Sequence, residues 1–298
     1  MTPFSENGAQ FNSITLQGLR ASVTIENAGG AMMGTLNASI YGLPLDHVNK
    51  LTSLMWKTPI LSSSGSSFSE YMVQVYAIDG TQESLLFNGE VLNAWADFSG
   101  MPQVALLVQA NVGYSALVSA TNPTSLAANT TVGTVMSQIA NKMGFSFECK
   151  DTSLSSQVVA KGSYFGNTAM EQARSMEDSY KFWMYQDATT NPPTLAIAPW
   201  GSARQSLVAL ITPRTGMIGY PLFNSSGVTF SCYYNPAILF GGTIKISESA
   251  VEQANAEWTV VSMSHQLSSQ TPGGPWQSSI QAVAGNFGSL GTLLAGGA

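Results

Sequence analysis

The chain has 298 residues, long enough for two or three modules, and only 9% of them are charged, against roughly 25% in an average soluble domain. Its net charge of −6 and pI near 4.8, with no run of Lys or Arg, exclude a phosphate-neutralising stripe and so sequence-specific nucleic-acid binding. A mildly acidic wall past which DNA slides without sticking stays compatible with that charge. Polarity carried by 28 glycines and by Ser, Thr, Asn and Gln fits a subunit largely covered by partners in an assembly.

Residues 11 to about 118 read mainly as strands. SITLQGLRASVTIENAGG alternates apolar and polar residues, and TLNASIYGLPL continues the pattern. LDHVNKLTSLM, with Val48, Leu51, Leu54 and Met55 three or four apart, predicts a short helix. YMVQVYAID, SLLFNGEVLNAWADF and QVALLVQANVGYSALV predict further strands. Together they predict a small β-barrel or sandwich over 1–125.

The period changes near residue 130. In TTVGTVMSQIANKMGF, Val132, Val135, Met136, Ile139 and Met143 form one apolar helical face, with Thr131 as N-cap and Gly144 just past the end. A second helix opens near Asn167, where Thr168 and Glu171 have capping-box spacing. YKFWMYQD, a turn at NPP and TLAIAPWG predict a hairpin, so 126–202 reads as α+β. From 203 to 285 the strand pattern returns as an all-β module, and the Gly-rich tail 286–298 is expected to need a partner for order. Cys149 and Cys232, far apart and outside any metal-ligand spacing, read as reduced, mostly buried thiols. The N-terminus lacks the features of a secretory signal, and no run reaches the roughly 18 apolar residues of a spanning helix.

Catalytic constellations are sparse. A serine-type hydrolase needs a histidine base, and the chain offers His47 and His265. His47 adjoins Asp46 on the short helix, and adjacent helical positions diverge, so the pair is no dyad. There is no G-x-S-x-G elbow. Glu171, Glu177 and Asp178 could serve a glycosidase, but Glu171, Arg174 and Asp178 at spacings of three and four describe a solvated helix face. GGAMMG at 29–34 lacks the Lys-Ser/Thr of a phosphate loop and reads as a turn, and no motif has metal-ligand spacing. Phe182, Trp183, Tyr185, Tyr233 and Tyr234 read as core and cross-strand packing. No cofactor is expected.

The C-terminal third carries a resemblance. VVSMSHQL, a loop with Gly-Gly-Pro, then Trp276-x-x-x-Ile-x-Ala resembles the last hairpin of phage baseplate hub proteins of the late-control protein D family. GMIGYPLFNSSGVTFSCYYNPAILFGGTIKISES resembles that family's second barrel at Gly219 to Pro221, Gly227, Asn235-Pro236 and Gly242. Ile139-Ala140-x-x-x-Gly144-Phe145, Gly166-Asn167-Thr168, Leu195-x-Ile197-x-Pro199-x-Gly201, Leu36 to Leu43 and Phe87-x-Gly89-x-Val91 extend the similarity over nearly the whole chain. The resemblance implies a contractile-tail hub without enzymatic activity: a homotrimer of two similar barrels per subunit, presenting six near-equivalent positions. Such a ring adapts a sixfold tail tube, or a tube-adaptor protein, to a threefold central spike. Tape-measure protein and DNA pass through its lumen, it does not insert into a membrane, and it belongs to the virion tail tip after assembly in host cytoplasm. His265 is then expected to satisfy nearby backbone groups and Trp276 to close a barrel. The alternatives are the hub of a flexible-tailed phage leading to a receptor-binding fibre, and a peptidoglycan-degrading tail enzyme.

Overall fold

A computed structural model of the chain describes residues 5–6, 9–10, 14–28, 32–52, 71–79, 82–125, 129–159, 164–205 and 207–284. β1 (Ser5–Glu6) and β2 (Ala9–Gln10) pair with each other. Then come β3 (Ala21–Ala28), β4 (Thr35–Tyr41), α1 (Leu45–Leu51), β5 (Met72–Asp79), β6 (Gln82–Asp97), β7 (Ala105–Asn111) and α2 (Tyr114–Val118). The middle holds β8 (Thr124–Ser125), α3 (Val132–Lys142), β9 (Ser146–Glu148), α4 (Thr152–Ser156), β10 (Tyr164–Phe165), α5 (Ala169–Tyr180), β11 (Phe182–Asp187) and β12 (Thr194–Pro199). The last third holds β13 (Val208–Ile211), β14 (Met217–Asn224), β15 (Gly227–Tyr233), β16 (Thr243–Ile246), β17 (Glu257–Ser269) and β18 (Trp276–Ala284).

Local signals place the helices. Val132, Val135, Met136, Ile139 and Ala140 of α3 are buried at helical spacing, and the Thr131 hydroxyl accepts from the Thr134 amide. Gly144, at φ +73°, follows in the left-handed conformation that stops a helix. On α5 both halves of the capping box form: Glu171 N–H donates to the Thr168 hydroxyl, and Thr168 N–H to the Glu171 carboxylate. Two readings need revision. QVALLVQANVGYSALV is not one strand, because β7 ends at Asn111 and Gly113, at φ +67°, turns the chain into α2. The helix at 45 is described only to Thr52, so Leu54, Met55, the turn at 29–31 and the tail 286–298 lie outside the described residues.

The fold is mainly β, but among the described residues no barrel closes. One eleven-stranded sheet runs β14-β15-β18-β17-β3-β4-β7-β6-β5, with β16 and β13 branching from β17. The reason lies in β17, whose 13 residues span about 43 Å at roughly 3.3 Å each, more than twice an ordinary strand. A bulge between Val260 and Ser262 bends it. Before the bulge β17 pairs with β16, at Thr243↔Thr259; after it, Ser262 to Ser269 pair with Ala28 to Ala21 of β3. Each region expected to be a barrel is therefore an open six-strand ladder, β13-β16-β17-β18-β15-β14 or β17-β3-β4-β7-β6-β5, and β17 belongs to both.

Two apolar cores fill the inner side. One joins Ile25, Leu36 and Phe87 of the first ladder to Met136, Ile139 and Met176 of the middle helices. The other gathers Ile211, Phe230, Ile244, Val260 and Ile280. The β11–β12 hairpin lies between them, giving Phe182, Met184, Leu195 and Ile197 to the first core and Tyr185, Ala196 and Ala198 to the second. Burial on both faces is why these strands read as nearly unbroken apolar runs.

Candidate functional site

His265 sits mid-way along β17, opposite Ser278 of β18 and Ile25 of β3. The register continues through Leu36, Ala110 and Val91, and every one of these positions is buried. The imidazole Nδ1 and the Ser278 hydroxyl are 2.7 Å apart, and the ring meets Tyr234 edge-on at 5.5 Å. The histidine thus pairs with a side chain rather than with the backbone groups expected for it. A serine and a histidine at this distance are a nucleophile–base pair in form. Ser278 is 1% and His265 4% exposed, however, inside a sheet where no substrate reaches them. Burial pushes His265 down to about 4, so the ring is neutral at physiological pH. It is scaffolding. Trp276 is half-buried, packs edge-on against Tyr234 at 6.3 Å and leans on the first core, closing no barrel.

The carboxylates of α5 are also occupied. Glu171 caps its helix, and Glu177 accepts from the Met184 amide at 3.1 Å, with burial raising its pKa. Asp178 is exposed, as is His47 on α1. Among the described residues no group of His, Cys, Asp and Glu could hold a metal ion, and no helix is long and apolar enough to cross a membrane. Cys149 is half-buried and Cys232 buried, both free, and burial pushes Cys232 up to about 11.

An ion pair that no sequence spacing announces lies beside a polar cleft. Arg204, with its side chain 2% exposed, pairs with Asp187 at the end of β11 and stands 3.6 Å from Glu148 of β9. Asp187 also accepts from the Thr189 amide and hydroxyl, and the Arg204 amide donates to Gly241. The cleft of about 360 Å³ is lined by Lys150, Asp151, Ile197, Pro199, Arg204 and Thr243. With its cation turned to two internal carboxylates, Arg204 ties the middle sheet to the last third instead of presenting charge to a ligand.

The glycine, proline and asparagine positions singled out in the last third shape backbone. Gly219, at φ +71°, and the buried Pro221 lie in the irregular stretch of β14 between Ile218 and Leu222. At Gly227, φ +127°, an added Cβ would stand 2.2 Å from the Ala282 carbonyl oxygen. Asn235 accepts from Ala237 through its side chain and from Ile238 through its carbonyl, with Pro236 second in the turn. Gly242 donates to the Leu239 carbonyl and accepts from Val260. Phe182 and Tyr185 are core residues as read, whereas Tyr233 is exposed.

What faces outward is more informative. Among the described residues the sheet has three open strands, β14, β5 and β13. On β14, Ile218, Tyr220, Leu222 and Phe223 are exposed, Tyr220 by 76% and Leu222 by 64%; on β5, Met72, Tyr76 and Ile78 are exposed. Neither strand carries a Lys, and their one charge is the terminal Asp79, so Pro221 and the irregular stretch between Ile218 and Leu222 are what blunt the β14 edge. Between the ends, the outer side of the sheet is mostly polar, with Trp95 and Tyr233 exposed on it. One row runs Tyr233, Gln277, Gln266, Thr24, Asn37, Gln109 and Asn93; its neighbour runs Ser231, Ser279, Ser264, Glu26, Thr35, Asn111 and the buried Glu90.

A family model described as baseplate hub gp41 matches residues 5–273. The chain belongs to the baseplate hub gp41 family. Membership makes it a structural component of a phage tail baseplate, located in the virion tail and in contact with other baseplate parts. A search of curated protein sequences finds no match. Among solved structures, the E. coli c3393 protein is described as a type VI secretion component similar to T4 tail proteins gp27 and gp5. It matches with a TM-score of 0.59 at 9% identity, over 90% of this chain and 75% of that one. The 43 kDa tail protein of prophage MuSo2 from Shewanella oneidensis matches at 0.57 and 9%, over 90% and 93%. The tail protein from Neisseria meningitidis MC58 matches at 0.54 and 8%, over 88% and 91%. At such identities the likeness shows a shared tail-protein fold.

Proposed function

We propose that this hub-family chain is a non-enzymatic adaptor of a contractile tail, assembled as a homotrimeric ring between a sixfold tail tube, or its adaptor, and a threefold central spike. Tape-measure protein and DNA pass through its lumen, and it assembles in the host cytoplasm. The organisation into a first β region (1–125), a middle α+β region (126–202) and a second β region (203–285) supplies two six-strand ladders per subunit and six per ring. The observation carrying this reading is the run of exposed apolar side chains on two outer strands of one sheet, β14 and β5. A heterologous contact of β14 on one copy with β5 on the next repeats by rotation and closes when the rotation divides a full turn. Closure covers both apolar edges at once.

Native mass spectrometry with negative-stain micrographs of the full chain tests this. The expected result is a trimeric ring that Tyr220→Asp with Leu222→Lys dissociates into folded monomers of unchanged circular dichroism. A wild-type chain that stays monomeric at micromolar concentration in the presence of its tube and spike proteins overturns the reading.

A further inference from the structure

In the proposed ring, the exposed apolar side chains of β14 and β5 say where two copies meet but not in which direction. β14 advances four residues from Ile218 to Leu222 while its partner β15 advances two, from Ser231 to Thr229, so Gly219, Tyr220 and Pro221 bulge. Pro221 is buried, and Tyr220 stands out between the exposed Ile218 and Leu222. A strand that bulges and has no N–H at Pro221 offers no continuous ladder, so this edge meets a neighbour through side chains. On β5 the exposed Met72, Gln74, Tyr76 and Ile78 alternate with Val73, Val75 and Ala77, which join the first core. Ile218 and Leu222 can cover Ile78 and Tyr76 in either order, with Tyr220 between them.

Charge supplies the direction. Arg214 lies three residues before β14 with its side chain 88% exposed, and its contact with Glu248, 3.6 Å from Nε, is longer than a hydrogen bond. On the facing strand pair, the exposed Glu83 of β6 is in register with Ile78 of β5, so the two share a face about 5 Å apart. We infer that β14 of one copy runs antiparallel to β5 of the next, with Ile218 on Ile78, Leu222 on Tyr76 and Arg214 on Glu83. The inference rests on the ring proposed above. In the opposite direction Leu222 covers Ile78, and Arg214 falls near Met72, about 20 Å from Glu83 at roughly 3.3 Å per residue, where salt screens exposed charges. Glu248 shares Arg214 in both directions, but a guanidinium has five N–H groups and serves two carboxylates at once, and only the antiparallel arrangement brings the second one within reach. Because Arg214 and Glu83 lie at the exposed rim of the contact, they set its direction more than its strength.

Cysteine pairs read the direction, because a disulfide forms only where two Cα atoms stand within about 7 Å. The full chain carrying Ile218→Cys with Ile78→Cys, and the full chain carrying Leu222→Cys with Ile78→Cys, are oxidised with diamide and run on non-reducing gels. Ile78→Cys alone controls for Cys149 and Cys232. The first pair is expected to give covalent trimers and the second none. Trimers from the second pair and not the first overturn the antiparallel contact. Failure of both pairs in chains that native mass spectrometry shows to be trimers also overturns it and leaves the ring standing on some other contact, whereas a monomeric wild type removes the ring itself. A second measurement avoids changes to the apolar edge. Arg214→Glu is expected to weaken each contact about threefold, and so the trimer association constant about thirtyfold over three contacts, with the loss shrinking at high salt. Adding Glu83→Arg is expected to restore assembly. Unchanged assembly of Arg214→Glu, or no rescue by Glu83→Arg, refutes the charge pair.

Discussion

Gly227 and Gly219 both have positive φ, yet the surroundings separate them, which makes Ala at each a calibrated test of the last ladder. At Gly219, φ +71°, nothing lies within 4 Å of an added Cβ, so Gly219→Ala meets only the backbone cost of the left-handed region, about 1 kcal/mol. At Gly227 the φ of +127° lies where L-residues rarely go, a cost of about 1–3 kcal/mol. The added methyl would also stand 2.2 Å from the Ala282 carbonyl oxygen, and Ala282 is paired with Val228. The obstacle is backbone, so β15 must draw away from β18 by roughly 1 Å and at least one ladder hydrogen bond weakens, adding about 1–2 kcal/mol. The expected total is about 2–5 kcal/mol. At about 2 °C per kcal/mol for a chain of this length, Gly219→Ala lowers the Tm by about 2 °C and Gly227→Ala by about 4–10 °C. Thermal unfolding followed by near-ultraviolet circular dichroism on the full chain measures both. Equal shifts, or a Gly227→Ala shift no larger than that of Gly219→Ala, would refute the close approach of β15 and β18.

Three further predictions follow from buried groups and caps. His265 has a folded pKa lowered to about 4 from 6.5, so between those values the unfolded chain binds the extra proton. Its contribution is complete above pH 6.5 and lost as pH falls through 4, about 3 kcal/mol in all; urea midpoints of wild type should drop over this window and those of His265→Gln should drop less. Arg204→Met leaves Asp187 without its cation and Glu148 with only Lys150, 3.5 Å away, and should cost about 3–5 kcal/mol in urea unfolding, most of it recovered by adding Asp187→Leu; a single-variant cost under about 1 kcal/mol contradicts the buried pair. Thr168→Ala removes half of the α5 capping box and should cost about 1 kcal/mol, with faster hydrogen exchange at the Glu171 amide and none at α3.

Legibility followed the range of the interaction. Helix α3 was readable from Thr131 to Gly144, because caps and a 3.6-residue apolar face are local, and α5 was readable from two residues three apart. The β11–β12 hairpin was readable for the same reason, its strands being adjacent in sequence. The merging of the two β regions was not. Pairing of β17 with β3 joins Leu267 to Val23 across more than 240 positions, and the bulge that permits it falls in Val260-Val261-Ser262, which contains neither Gly nor Pro. Nothing local distinguishes a strand that closes its own barrel from one that bends into the next. The Ser278 partner of His265 and the Arg204–Asp187 pair were hidden likewise, since each is made by register or by packing between distant segments.

The merged sheet changes what fixes the geometry of an assembly. Two separate barrels on a linker would let the angle between their outer edges float, and a ring would then have no defined number of subunits. Here β17 is covalently continuous through both ladders, and its bend at the Val260–Ser262 bulge sets one angle between β14 and β5. The β11–β12 hairpin, with Met184 and Leu195 in one core and Tyr185 and Ala196 in the other, wedges the two halves at that angle. Close-packed interiors deform little, so the rotation relating one subunit to the next is carried by the interior and not chosen at the interface. In the proposed ring, the edge residues decide how tightly copies adhere, and the wedge decides that three of them close. Trimming the wedge with Met184→Ala should therefore broaden the distribution of oligomers before it dissociates them, whereas trimming the edge at Leu222 should do the reverse.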